Sequence, residues 1–340
     1  MTKVYAFILI TILTANASAS GPLSSYAADN IPFLVANQQV PQQAAECEQP
    51  KDKYLEIEKT SVRYVEAGAG PAVVMIHGNA GSVDDFHFKS LGLLCRDHRV
   101  LAVDRPGHGK SDRPNGIAVT LKYQTQLLHE ALTQLGVTRP VLVGHSWGGA
   151  LALSYAVEYP QELSAIVLLA PAAYADEGED QFLRAVLETP VIGDVSLTVG
   201  RLVFGKSILK KELKRAFYPD TVPNEYLRHA SSLWLHHKQL RAYFEDEFSL
   251  NKDLARISKH YPDIRMPVVI VTGDHDKVVS AKDNAYRLRD SIVQSQLIEL
   301  KNTGHQVPQT HPESIYSALS LTSNSSSPRR SSGSAAPTFR

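Results

Sequence analysis

Along residues 54–170 the chain alternates short apolar runs with amphipathic ones. Residues 54–58 and 61–66 interleave apolar and polar side chains around a turn, the period-two pattern of a hairpin, and predict an antiparallel sheet edge. Apolar runs at 72–78, 99–104, 141–145 and 163–170 each predict a buried strand, and the stretches near 86–95, 120–135 and 147–159 predict helices between them. Such alternation predicts a mostly parallel sheet with helices on both faces, an α/β fold. From about 173 to 260 the strand rhythm stops and helical patterns dominate, at 180–187, 207–217, 224–241 and 246–257, so this stretch reads as an inserted helical lid. Residues 266–273 restore the sheet, followed by a helix at 282–292, a last strand at 296–300 and a closing helix at 312–321.

The two ends read differently from the middle. Lys3 precedes an apolar run at 4–13, and the small-residue string TANASAS offers Ala-x-Ala sites ending at Ala17 or Ala19, the layout of a secretory signal peptide. The run is short for a span of about 20 apolar residues, which favours cleavage over a permanent anchor. Left uncleaved, the same segment would tether the chain to a membrane. The expected organisation is a signal peptide or anchor at 1–19, a linker at 20–50 rich in Ala, Gln, Ser and Pro, a core in two parts at 51–172 and 261–322, the lid at 173–260, and a disordered tail at 323–340. Export, periplasmic or secreted, is the expected location.

Acidic and basic residues balance at 35 each, so no global field draws the chain to nucleic acid or to an acidic membrane. Cys47 and Cys95 are the two cysteines. In an oxidising compartment they could pair, or both could stay reduced, because sequence does not set their separation. No His, Cys, Asp or Glu cluster has metal-ligand spacing, so no metal is expected.

The chemistry centres on GHSWG at 144–148. A short apolar strand meets a small-residue helix there, and Gly144 and Gly148 leave no side chain where the two converge, so the backbone bends and lifts the Ser146 hydroxyl above the sheet edge. A serine hydroxyl is a poor nucleophile at neutral pH and needs a base within hydrogen-bond reach. His305 follows the last strand on a loop that returns to the same edge, whereas His311 directly precedes Pro312 and suits a helix cap. An acid must then orient the imidazole, and Asp276, Asp274 and Asp104 each end a strand.

HGNAGS at 77–82, DRPGHG at 104–109, GHSWG, GDHD at 273–276 and GHQVP at 304–308 resemble, in order and wording, the α/β-hydrolase superfamily, in its serine-nucleophile branch of esterases, haloperoxidases and proline iminopeptidases. The resemblance covers about 54–322 and specifies the fold far more closely than the substrate. It implies Asp276 as the acid, the backbone amides of Asn79 and Trp147 as oxyanion donors, structural roles for His77, His108 and His145, and no cofactor. Relatives that open epoxides or remove halides typically place aspartate at the Ser146 position, so serine disfavours those reactions. The expectation is an exported serine hydrolase acting on a small-molecule carboxylic ester with a small or medium apolar acyl group, with perhydrolase chemistry as an accompaniment. Two alternatives stand beside it: a proline iminopeptidase-like aminopeptidase whose lid acids Glu212, Glu225 and Glu245 would bind a free amine, and a non-catalytic ligand-binding protein on a hydrolase shell. Oligomeric state is not legible.

Overall fold

The computed structural model describes residues 50–87, 90–176 and 181–324. Eight strands form one sheet: β1 (Lys53–Ile57), β2 (Thr60–Ala67), β3 (Ala72–Ile76), β4 (Arg99–Val103), β5 (Val141–His145), β6 (Ala165–Leu169), β7 (Val268–Gly273) and β8 (Gln296–Leu300). Their order is β1-β2-β4-β3-β5-β6-β7-β8. β1 and β2 are antiparallel, β2 is antiparallel to β4, and every pair from β4 to β8 is parallel. The expected hairpin edge is therefore present. Its two-residue turn places Glu58 at φ 48° and Lys59 at φ 68°, the backbone twist that a tight hairpin requires.

β5 lies between β3 and β6 and is wholly apolar except at its end, as a strand covered on both faces must be. On one face Val74, Leu101, Leu142 and Ile166 pack with helices α1 (Leu121–Gln134) and α2 (Trp147–Glu158). On the other, Val73, Val100, Val143 and Val167 pack with Phe86, Leu91, Leu94 and Ile315. Helix α1 starts at Thr120, whose side chain accepts the Tyr123 amide, a capping arrangement.

Between β6 and β7 the described residues form five α-helices, α3 (Gln181–Glu188), α4 (Ile192–Val203), α5 (Gly205–Phe217), α6 (Asn224–Trp234) and α7 (His237–Ile257), and a short 3-10 helix at Ser258–Asp263. Three details correct the reading of the sequence. Helix α4 was not anticipated, because Gly193, Gly200 and its valines lower helix propensity. The helix expected over 224–241 breaks at Leu235–His236, where the Leu235 carbonyl accepts from the Arg201 guanidinium at 2.9 Å. The closing helix, α8 (Pro312–Asn324), runs two residues into the stretch expected to lack structure. Cys47, the amino-terminal segment and the tail beyond Asn324 lie outside the described residues. Among the described residues no helix is long and apolar enough to cross a membrane.

Candidate active site

The carboxyl ends of β5, β7 and β8 meet at one edge of the sheet, each pair in register. Ser146 directly follows β5 and holds φ 53°, ψ −117°, a conformation that costs about 1–3 kcal/mol in a non-glycine residue. The strain is held by hydrogen bonds. The Ser146 amide donates to the Leu169 carbonyl at 2.9 Å, and the Ser146 carbonyl accepts from the amides of Gly149 at 2.8 Å and Ala172 at 3.1 Å. Both elbow glycines are sterically required: a Cβ on Gly144 would sit 2.3 Å from the Gly148 carbonyl oxygen, and one on Gly148 would sit 2.3 Å from the Ile76 oxygen.

Asp276 and His305 arrive on the loops after β7 and β8. His305 Nδ1 and Asp276 Oδ2 are 2.7 Å apart, with the Asp276 side chain fully buried. Asp276 Oδ1 accepts the amides of Val278 at 2.8 Å and Val279 at 2.9 Å. Burial alone would push this carboxyl up; the His305 imidazole and the two amides outweigh it and hold the group below its ordinary value, as an anion. The His305 backbone is fixed as well: its amide donates to the Ala216 carbonyl at 2.9 Å, and its own carbonyl lies 3.0 Å from His145 Nε2. Burial drives His145 down to about 3, so the ring is neutral and its Nε2–H is the donor in that bond. Ser146 thus follows directly on a residue that is bonded to His305.

The competing acids and bases have other partners. Asp104 accepts from the Arg63 guanidinium at 3.1 Å and from the amides of Val83 at 2.7 Å and Lys110 at 2.8 Å, which braces the loops after β3 and β4. Asp274 accepts the Thr303 amide and lies 2.7 Å from His275 Nδ1, a turn role. His311 holds the start of α8, where its carbonyl accepts the Ser314 amide at 3.0 Å. His77 accepts the Arg105 amide at Nε2 and donates from Nδ1 to the Gly78 carbonyl, and burial holds it well below its ordinary value, in the neutral form. His108 is held neutral in the same way.

Gly78 brings the loop after β3 against the serine, since a Cβ there would lie 3.1 Å from the Ser146 Cβ. Among the described residues, the amides of Asn79 and Trp147 donate to no backbone acceptor. The Asn79 side chain turns away from Ser146, its Nδ2 donating to the Tyr243 carbonyl at 3.1 Å and to Glu247 at 2.6 Å, its Oδ1 accepting from Arg105 at 3.2 Å. Trp147 is buried beneath the Arg105 guanidinium, 3.9 Å above its ring, a cation–π contact.

Sequence reasoning missed what anchors the loop after β4. Arg105 and Asp246 form a fully buried ion pair at 2.5 Å, and Asp246 also meets Arg113 at 3.0 Å and Gln124 at 3.1 Å. This pair ties α7 to the loop after β4. A signal existed: Asp246 occupies the inward register Gln239, Ala242, Asp246, Leu250, Leu254, Ile257 of α7, where an acid is out of place unless partnered.

A sheet of this order, with a strained serine turn and a buried acid–histidine pair at its carboxyl edge, defines a class. The family profile described as alpha/beta hydrolase fold matches residues 71–312, and this chain belongs to that family. A 2-hydroxy-6-oxo-2,4-heptadienoate hydrolase from Pseudomonas putida is 26% identical over 244 residues, covering 71% of this chain and 85% of that protein. Haloalkane dehalogenase 2 from Mycobacterium tuberculosis is 24% identical over 278 residues, covering 79% and 93%. Among solved structures, an alpha/beta hydrolase fold protein from Burkholderia ambifaria matches with a TM-score of 0.69 at 23% identity, covering 82% of this chain and 99% of that one. A bromoperoxidase from Bacillus anthracis matches with a TM-score of 0.66 at 22% identity, covering 81% and 100%. These structural likenesses bear on the fold alone.

Proposed function

We propose that this hydrolase cleaves a carboxylic ester with a small or medium apolar acyl group through an acyl-enzyme on Ser146. The observation that carries the reading is the buried Asp276–His305 bond beside a serine held at φ 53°. Because Asp276 takes the proton-bearing Nδ1 of His305, the lone pair stays on Nε2, the atom that must accept the Ser146 proton. Ser146 Oγ then attacks the ester carbonyl carbon. The resulting oxyanion is received by the Asn79 and Trp147 amides. Collapse expels the alcohol, which takes the proton back from His305, and water repeats the sequence on the acyl-enzyme.

Helices α3–α7 form a lid in this reading. Tyr226 donates to Asp85 at 3.1 Å, Gln239 donates to the Gly81 carbonyl at 3.1 Å, and Asn79 reaches α7, so the insertion rests on the segment after β3 that Gly78 brings against Ser146. The aminopeptidase alternative gains nothing from the lid acids: Glu245 pairs with Arg113 and Arg241, Glu212 with Arg215, and Glu225 stands exposed at the start of α6. A second reading, hydrolysis of an oxo acid, rests on the named activity of the Pseudomonas relative.

The test is a panel of p-nitrophenyl esters of graded chain length, run beside aminoacyl anilides and a 2-hydroxy-6-oxo-dienoate. Ester turnover that peaks at short or medium acyl chains is expected. Turnover confined to the anilides or the oxo acid overturns the ester assignment. Export remains part of the proposal: mass spectrometry of secreted or periplasmic protein should find a start near Ser18 or Ser20, and detergent-extracted protein beginning at Met1 would make the segment an anchor instead.

A further inference from the structure

Helix α4 is apolar on two opposite sides. Gly193 and Leu197 face inward and are buried. At 3.6 residues per turn, Ile192, Val195, Val199, Leu202 and Val203 fall within an arc of about 100° on the other side. With Val191 just before the helix, these side chains are 42% to 73% exposed. A surface helix ordinarily places polar residues on that side. The stripe extends for roughly 18 Å, and six large aliphatics side by side present on the order of several hundred Å² of apolar surface, the size at which a patch marks an interaction site.

A row of charge follows one residue beyond. Lys206, Lys210, Lys211 and Lys214 are exposed along one face of α5, at spacings of four, one and three. Among the described residues none of the four makes an ion pair. Three acids on or before these helices pair elsewhere: Glu188 with Arg184, Asp194 with Arg241 and Glu212 with Arg215. The chain as a whole is balanced, so this positive row is local.

We propose that the face formed by α4 and α5 docks on an anionic lipid surface, the aliphatic stripe entering the boundary between headgroups and acyl chains and the lysines meeting the headgroup charge. Amphipathic helices with lysines beside a large apolar face bind bilayers in this way, through buried apolar area and attraction to anionic lipid together. A second copy of the chain fits less well. A two-fold contact uses the same patch on both partners and would bring two lysine rows into one interface. The inference is independent of the ester reading, because none of these residues belongs to the Ser146 site.

The test is co-sedimentation of the full chain with vesicles of phosphatidylcholine, with and without phosphatidylglycerol. The apolar run at 4–13 is common to every variant, so the differences between variants report on α4 and α5. Binding should require the anionic lipid, weaken as salt is raised, and fall at least about tenfold in a Val195→Asp/Leu202→Asp double variant whose melting temperature is unchanged. A Lys210→Glu/Lys211→Glu double variant should lose binding too, and it serves alone if the apolar pair lowers the melting temperature. Unchanged partitioning of both variants, or equal partitioning onto the two vesicle types, overturns the proposal. So does a wild-type dimer, seen in sedimentation, that the Asp pair dissolves while vesicle binding persists.

Discussion

Replacing Asp276 with asparagine tests the geometry of the site at a single atom. Its two oxygens have separate duties: Oδ1 accepts two backbone amides, from Val278 and Val279, and Oδ2 accepts from His305 Nδ1. In Asp276→Asn the oxygen must stay with the two amides, since an NH2 group facing two N–H donors would lose both bonds. The new amide nitrogen is therefore aimed at His305 Nδ1. It donates, which forces the imidazole into the tautomer with its proton on Nε2, and that nitrogen can no longer take the proton of Ser146. If Ser146, His305 and Asp276 act as the proposed triad, the wrong tautomer costs about four orders of magnitude in kcat, or about 5.4 kcal/mol of transition-state stabilisation. Side-chain volume and the loop's hydrogen bonds are preserved, so the melting temperature should move little. Stopped-flow hydrolysis of a p-nitrophenyl ester gives the rate, and a melting curve controls for folding. The same assay on Asp274→Asn should show a loss of less than about tenfold, because that carboxylate serves only the turn. If Asp276→Asn keeps more than about a tenth of wild-type turnover, the assigned role of the Asp276–His305 bond is wrong.

Two further perturbations probe the frame around the site. Asp246→Ala should cost about 3–5 kcal/mol in urea unfolding, because it strips the buried Arg105 of its carboxylate partner, and a cost below about 1 kcal/mol would show that the pair does not brace the loop. Burial pushes the Asp85 carboxyl up to about 7 from its ordinary 3.8, so the folded state holds a proton that the unfolded chain releases, and wild-type stability from this group falls as pH rises from 3.8 to 7 and is level above it. Asp85→Asn has no such term. Its stability relative to wild type should therefore improve by roughly 3 kcal/mol between pH 5 and pH 8, and an offset that does not change with pH would contradict the assignment.

Much of the frame was legible because it depends on local sterics. The period-two hairpin, the apolar strands and the last strand at 296–300 announce themselves by pattern, and the glycines at 144 and 148 announce a crossing too close for any Cβ. What stayed open was decided by partners far off in sequence. Asp104 stayed an outside candidate beside Asp276, the acid the resemblance implies, because its partner Arg63 lies 41 positions earlier on another strand. Asp246 is one acid among several in FEDEF, and only its register among buried α7 residues sets it apart. Helix α4 escaped because a segment apolar on both sides lacks the single periodic stripe that betrays a surface helix. Glu245, an amine ligand only in the aminopeptidase alternative, pairs with Arg113, which lies far from it in sequence.

The central claim is that Ser146 is a nucleophile activated by His305. Incubation of the full chain with a fluorophosphonate, followed by peptide mass spectrometry, tests it most directly. The account predicts one stoichiometric adduct on the peptide containing Ser146, absent in Ser146→Ala and strongly slowed in His305→Ala, in protein whose melting curves are unchanged. Folded protein that takes up no label at Ser146, or that hydrolyses esters equally well as Ser146→Ala, would contradict it.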